Sequence, residues 1–334
     1  MRQLSHCLLT LVLTLCGACA PMASHGPVDA RTLKKMDARS ITRAEFTERL
    51  KSTDLLASLT PAQSRITLPF QMISGTPCIQ ADVGPGKTME MMIDTGAARM
   101  MIHARTMAKH HFTVVRADQA QVSMLGVAGS EKGRLGIVSP LHLGAWHMQA
   151  YPCFIRTQES RLRGIHLPVN ILGFDLPARV CSYFTLDYRK GTVTFAFREA
   201  FTPDPAMKST STALRITQGV PFIQVDAGGV SWPCLVDTGS FNGIEINESL
   251  AKKLGVQDQG RLVKGVYLAA VGGTLSSEIA KLRTVTLPEI SLAGGRYPKA
   301  EVDISPGMPR LGSFFLKDYR VTFDFQRKRL WLEN

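Results

Sequence analysis

The sequence predicts a β-rich fold built as two copies of one unit, and three observations predict it. Short runs of Val, Ile, Phe, Tyr and Thr alternate with Gly, Pro, Asn and Asp, the punctuation of strands and turns. The triplet Asp-Thr-Gly occurs twice, at Asp94 and Asp237, each time after an apolar strand ending, Met92-Ile93 and Leu235-Val236. The segments around the two triplets also match, in the same order, as an internal repeat requires.

Each unit opens alike. Pro77-Cys78-Ile79-Gln80-Ala81-Asp82 is echoed by Pro221-Phe222-Ile223-Gln224-Val225-Asp226, and the two triplets follow at almost the same interval. Polar stretches of helical character come next, Met101 to His111 and Asn247 to Gly255. Glycine-bearing turns between strand-like runs follow, Leu125 to Gly133 and Ala269 to Leu275. Then come Ile171-Leu172-Gly173 and Arg310-Leu311-Gly312. Aromatic-rich strand pairs close both units, with hairpin turns read at Arg189 to Gly191 and at Gln326 to Lys328. The methionines Met89, Met91, Met92, Met100 and Met101 read as strand core.

The N-terminus reads as an export signal. The apolar run Leu8 to Leu15 is too short to span a bilayer, and small residues follow it. Gly17-Ala18-Cys19 resembles the end of a bacterial lipobox, with Cys16 where that motif prefers leucine; the rival is an ordinary secretory cut after Ala20, disfavoured by Pro21. The expected organisation is a lipoprotein-type signal over 1–19, a tether and helix over 20–65, a first lobe over 66–200, a linker over 201–212 and a second lobe over 213–334. The tether is assigned to 20–40. A helix is expected over Thr42 to Leu59, because Thr42-Arg43-Ala44-Glu45 fits a capping box. Packing on the outside of the first lobe is the plain role for this helix, and a propeptide the specialised one.

Composition limits the function classes. Of 334 residues, 45% are hydrophobic and 20% charged, which suits a folded globular chain. The net charge of +12 is spread over the chain, and no zinc-finger, phosphate-loop or RNA-binding motif accompanies it. Nucleic acid is therefore not an expected partner, whereas an anionic membrane or cell wall fits a mildly basic surface. The cysteines and histidines have no metal-site spacing, so neither metal nor cofactor is expected.

A single Asp-Thr-Gly is most often only a turn. Two in register, each upstream of a glycine turn and a hydrophobic-Leu-Gly element, resemble the retropepsin-like aspartic proteases over about residues 66–334. The resemblance implies an all-β fold of two β-barrel lobes facing each other about a pseudo-two-fold axis, each supplying one catalytic aspartate, Asp94 or Asp237. It makes Thr95, Gly96, Thr238, Gly239 and Ser240 the supporting loops, and Gly126, Gly129, Gly272 and Gly273 the hinges of two flaps. Two carboxylates sharing one proton can activate a water and protonate a leaving amine without a metal.

The expected activity is peptide-bond hydrolysis by a monomeric endopeptidase acting on extended polypeptides. A lipid on Cys19 would hold it at the periplasmic face of an outer membrane. The alternatives are a peptide-binding module without activity and a structural envelope lipoprotein. Two finer expectations follow. The hydroxyl of Ser240 donates to Asp237 while Ala97 offers Asp94 nothing, so Asp237 ionises first. Among Cys78, Cys153, Cys181 and Cys234, the pair Cys153–Cys181 is the candidate disulfide, with four buried free thiols as the alternative.

Overall fold

A computed structural model describes residues 23–162, 165–264, 267–271, 273–277 and 279–334. The chain is an all-β protein of two β-barrel lobes. The first lobe is a twelve-stranded sheet and the second an eight-stranded one. A six-stranded sheet joins them.

The joining sheet shows the repeat most directly. Its two central strands, Tyr183–Asp187 and Arg320–Asp324, are antiparallel and come from the ends of the two units. The hydroxyls of Thr185 and Thr322 meet at the midpoint, 2.8 Å apart and buried. Outward on one side lie Thr192–Ala196 and then Arg65–Pro69; on the other lie Arg329–Glu333 and then Ser209–Ala213. Residues 209–213 therefore do more than link the lobes, since they form the counterpart of Arg65–Pro69. Their alternation of Ser and Thr suits an edge strand whose carbonyls and amides are paired on one side only. Phe174, Phe184, Phe195 and Phe323 pack beneath this sheet as offset and edge-on rings.

The N-terminal part departs from the expected tether. Ala23–Pro27 pairs antiparallel with Gln158–Leu162, and a helix covers Ala30–Asp37. Asp29 caps this helix by accepting the Thr32 amide at 2.8 Å, and Met36 carries its packing by burying fully in the core. Asp37 pairs with Arg134. The next helix spans Arg43–Lys51 and starts on the expected capping box, with Thr42 and Glu45 each serving the other's backbone amide. It stops short of Leu59. Asp54 accepts the Leu56 amide at 2.9 Å, a local turn that competes with further helix.

All four cysteines in the described residues are free and buried, so the Cys153–Cys181 bridge is not formed. Cys153 lies inside the strand Tyr151–Arg156, whereas Cys181 ends the helix Asp175–Val180. Burial pushes both thiols well above the ordinary range, and Cys78 up to about 12. They behave as small apolar core residues.

Candidate active site

Each aspartate ends a strand whose alternate residues fill its lobe. In Thr88–Asp94, Met89, Met91 and Ile93 point inward, and in Val230–Asp237, Trp232, Cys234 and Val236 do. The strand carrying Leu-Gly, Ile171–Gly173 in the first lobe and Arg310–Gly312 in the second, then runs parallel alongside, in identical register. Gly173 lies beside Asp94 and Gly312 beside Asp237. Only glycine fits there. A Cβ on Gly173 would meet the carbonyl carbon of Arg99 at 2.4 Å, and one on Gly312 the carbonyl oxygen of Asn242 at 2.3 Å. The loop after each aspartate folds back over that glycine and turns the carboxyl toward the other lobe.

The two loops interlock. Thr95 Oγ1 donates to the Val236 carbonyl at 2.5 Å, and Thr238 Oγ1 donates to the Ile93 carbonyl at 2.7 Å. Each threonine oxygen also accepts the other's backbone amide, at 3.0 and 3.1 Å. These four bonds are buried and nearly symmetric, so they fix the separation of the lobes at the carboxyls. Each carboxyl lies over the opposite triplet's glycine. A Cβ on Gly96 would come within 2.6 Å of Asp237 Cγ, and one on Gly239 within 2.3 Å of Asp94 Cγ. The Asp94 and Asp237 carboxyls therefore face each other across the axis, and each bears on the other's ionisation. Backbone amides hold the inner oxygens: Gly96 and Ala97 donate to Asp94 Oδ1 at 2.9 and 3.1 Å, Gly239 and Ser240 to Asp237 Oδ1 at 3.0 and 3.1 Å.

The pair is electrostatically unequal. Burial raises Asp94 well above the ordinary carboxyl range, and the neighbouring Asp237 raises it further. Burial also raises Asp237, but the Arg310 guanidinium opposes that rise. The group that favours an ionised Asp237 is thus Arg310 and not Ser240, the one expected. The Ser240 hydroxyl does not reach Asp237; it donates to Glu245 Oε2 at 2.9 Å. Arg310 Nη1 lies 3.7 Å from Asp237 Oδ2, and Arg310 Nε lies 3.1 Å from Glu245 Oε2. Ser305 donates to Glu245 Oε1 at 2.6 Å.

Each lobe also carries a glycine-bearing hairpin. In the first, Gln121–Gly126 and Gly129–Val138 pair up to the Gly126–Gly129 rung, and in the second Tyr267–Ala270 and Gly273–Ser276 pair up to Ala270–Gly273. Gly129 and Gly273 have φ of +128° and +136°, backbone that favours glycine. Gly272 lies outside the described residues, as does Cys19. The tips meet, because a Cβ on Gly126 would stand 2.4 Å from the Val271 carbonyl oxygen. Arg156 ties them further, binding the buried Glu131 of the first flap with two bonds of 3.1 and 3.3 Å and reaching the Ala270 carbonyl of the second at 3.4 Å.

Sequence reasoning missed Glu245, Arg310, Arg156 and Glu131. The first two carried a signal: Arg310 stands where the other unit has Ile171, and Glu245 interrupts the apolar run Ile244–Ile246. Arg156 and Glu131 carried none, since their contact depends on how two non-adjacent strands pair.

Residues 79–176 match the family model described as aspartyl protease. That segment holds Asp94, the first flap and Leu172-Gly173. No curated protein sequence matches the chain. Among solved structures, the chain is similar to basic 7S globulin from soybean at 14% identity, with a TM-score of 0.47, over 80% of this chain and 94% of that one.

Proposed function

We propose that this chain is an aspartic endopeptidase whose Asp94 and Asp237 act as one acid–base pair. The carrying observation is a pair of carboxyls, Asp237 buried and Asp94 half-buried, each set against the opposite triplet's glycine and held by reciprocal threonine bonds. Two carboxyls this close share one proton. Asp237, ionised, takes a proton from a water whose oxygen bonds to the peptide carbonyl carbon. Asp94 protonates the carbonyl oxygen. As the tetrahedral diol collapses, Asp237 passes its proton to the leaving nitrogen, the C–N bond breaks, and Asp94 takes back the proton of the hydroxyl that becomes the new carbonyl oxygen. The flaps lie over a bound polypeptide and exclude bulk water.

The test is digestion of an unfolded protein and a peptide library across acidic to neutral pH, with a statine-type mimic as competitor. Cleavage blocked by the mimic is expected. A folded protein that binds the mimic without cutting would instead be a peptide-binding module.

The chain is also proposed to be an exported, monomeric lipoprotein, with its lobes dividing at the segment before Ser209. Gly17-Ala18-Cys19 motivates the lipid anchor. Cys19→Ser should abolish processing or release the protein from membranes. Unchanged processing and fractionation would refute the anchor.

A further inference from the structure

We infer that Arg310, held by Glu245, is a positioning residue that fixes Asp237 as the ionised member of the pair and so assigns base and acid to particular lobes. This rests on the peptidase reading of Asp94 and Asp237. At the same register positions the first lobe carries Met101 and Ile171, and the second carries Glu245 and Arg310. The fold thus closes with an apolar pair in one lobe and a buried ion pair in the other. Buried ion pairs are rarely worth their desolvation as stabilisers, and an apolar pair of similar volume serves as well. Packing alone gives no reason for the charges.

The geometry gives one. The Arg310 side chain is 9% exposed and lies between two carboxylates, with Glu245 at its Nε and Asp237 at Nη1. Its Nη2 donates to the Pro306 carbonyl at 2.9 Å. Gly307, at φ +98°, closes over the guanidinium so tightly that a Cβ there would stand 2.7 Å from Nη2. Val127 of the first flap covers Gly307 in turn, 3.4 Å from that same Cβ position. The cation is therefore pinned and shielded from water, where a charge acts most strongly. At 3.7 Å from Asp237 Oδ2 it biases that carboxyl while leaving it free to face Asp94.

The other groups that bear on Asp237 and Arg310 do not reproduce this bias. Asp94 faces Asp237 across the axis, Glu245 opposes Arg310 from the strand Ile244–Ile246, and Tyr188 feels the Asp237 charge. Cys234 lies on the Asp237 strand, and Asp303 feels Glu245 from the neighbouring strand Gly295–Ile304. Arg310, 3.7 Å from Asp237 Oδ2, is the cation that favours its ionised form, against the opposing charge of Glu245.

The experiment replaces the charged pair by the first lobe's residues, Arg310→Ile with Glu245→Met, and sets it beside Arg310→Lys. kcat/KM is followed against pH on a peptide that the wild type cleaves. The acidic limb should move up in the double variant, by less than the ~1–3 pH units that loss of a lone opposite charge gives, because the opposing Glu245 charge is removed with Arg310. Arg310→Lys should keep it near the wild-type position. A folded double variant with an unmoved limb would make the pair structural only and overturn the inference, while cleavage itself would stand. A second readout needs no variant of the pair: carboxyl-carbon NMR of the full chain labelled at aspartate, with resonances assigned through Asp94→Asn and Asp237→Asn. Asp237 should ionise at lower pH than Asp94, and the reverse order overturns the inference even if the double variant does not fold. If the wild type cleaves nothing, the peptidase reading fails and takes the inference with it.

Discussion

The two lobes place their aspartates by the same backbone and surround them with different charges. The parallel strand pairs, the reciprocal threonine bonds and the amides on the inner oxygens agree from one lobe to the other within a few tenths of an ångström. Behind Asp94 stand Met101 and Ile171; behind Asp237 stand Glu245 and Arg310. The difference teaches that a duplicated scaffold conserves what sets distance and can vary what sets charge. Distance is held by short-range backbone bonds that tolerate no change of geometry. Charge is supplied by side chains one layer back, which can change in pairs without moving the loop.

The hardest way to break the comparison is to neutralise each aspartate in turn. Asp94→Asn and Asp237→Asn should each lower kcat/KM by about 10²–10⁴-fold, the usual worth of an acid–base group. Residual activity within tenfold of wild type in either variant would mean the lobes do not act as a pair. Stability should move the other way. A carboxyl whose folded pKa is raised by burial binds more protons in the folded state, so it costs stability as pH rises past its unfolded value. Both variants should therefore unfold no more easily than wild type at neutral pH. The gain should be larger for Asp94, whose rise has no cation to offset it.

Glu245→Met comes next. It strands Arg310 with a single distant carboxylate and should cost about 3 kcal/mol by urea unfolding, near the low end for breaking a buried pair. Met101→Leu, at the matching position of the first lobe, should cost under about 1.5 kcal/mol as a volume-conserving exchange. Equal costs would mean that Glu245 is not committed to Arg310.

Thr95→Val and Thr238→Val should each cost about 1–3 kcal/mol, since each removes a buried donor and strands a partner carbonyl and amide. The two values should agree closely, because the bonds they break are the same. Unequal values, read from matched denaturation curves, would show that the threonine contacts are less symmetric than the backbone around them.

The smallest effect is the most diagnostic of where the asymmetry begins. Ser240→Ala should leave the acidic limb of the pH–rate profile within about 0.3 units of wild type, because its hydroxyl reaches Glu245 and not the dyad. A shift as large as that of the double Arg310 and Glu245 variant would return the cause of the asymmetry to the serine.

Much of this molecule was written in local pattern. Alternation along Thr88–Asp94 and Val230–Asp237, the doubled Asp-Thr-Gly and the glycine that follows each Leu are periodicities and steric demands that a linear chain displays. They determined the class of fold, its repetition and the two aspartates. The Thr42 capping box likewise marked a helix start. Its end was hidden, because Asp54 stops the helix through a side-chain bond that competes with helical propensity. Tertiary structure alone decided the rest. Residues 209–213 became a strand because Arg329–Glu333 offers them an edge, and Cys153 and Cys181 stayed apart because each packs in its own element. Ser240 turned from Asp237 to Glu245, and Arg310 turned toward Asp237, because strands distant in sequence bring those charges within about 4 Å, where Coulomb forces outweigh any preference of the local backbone.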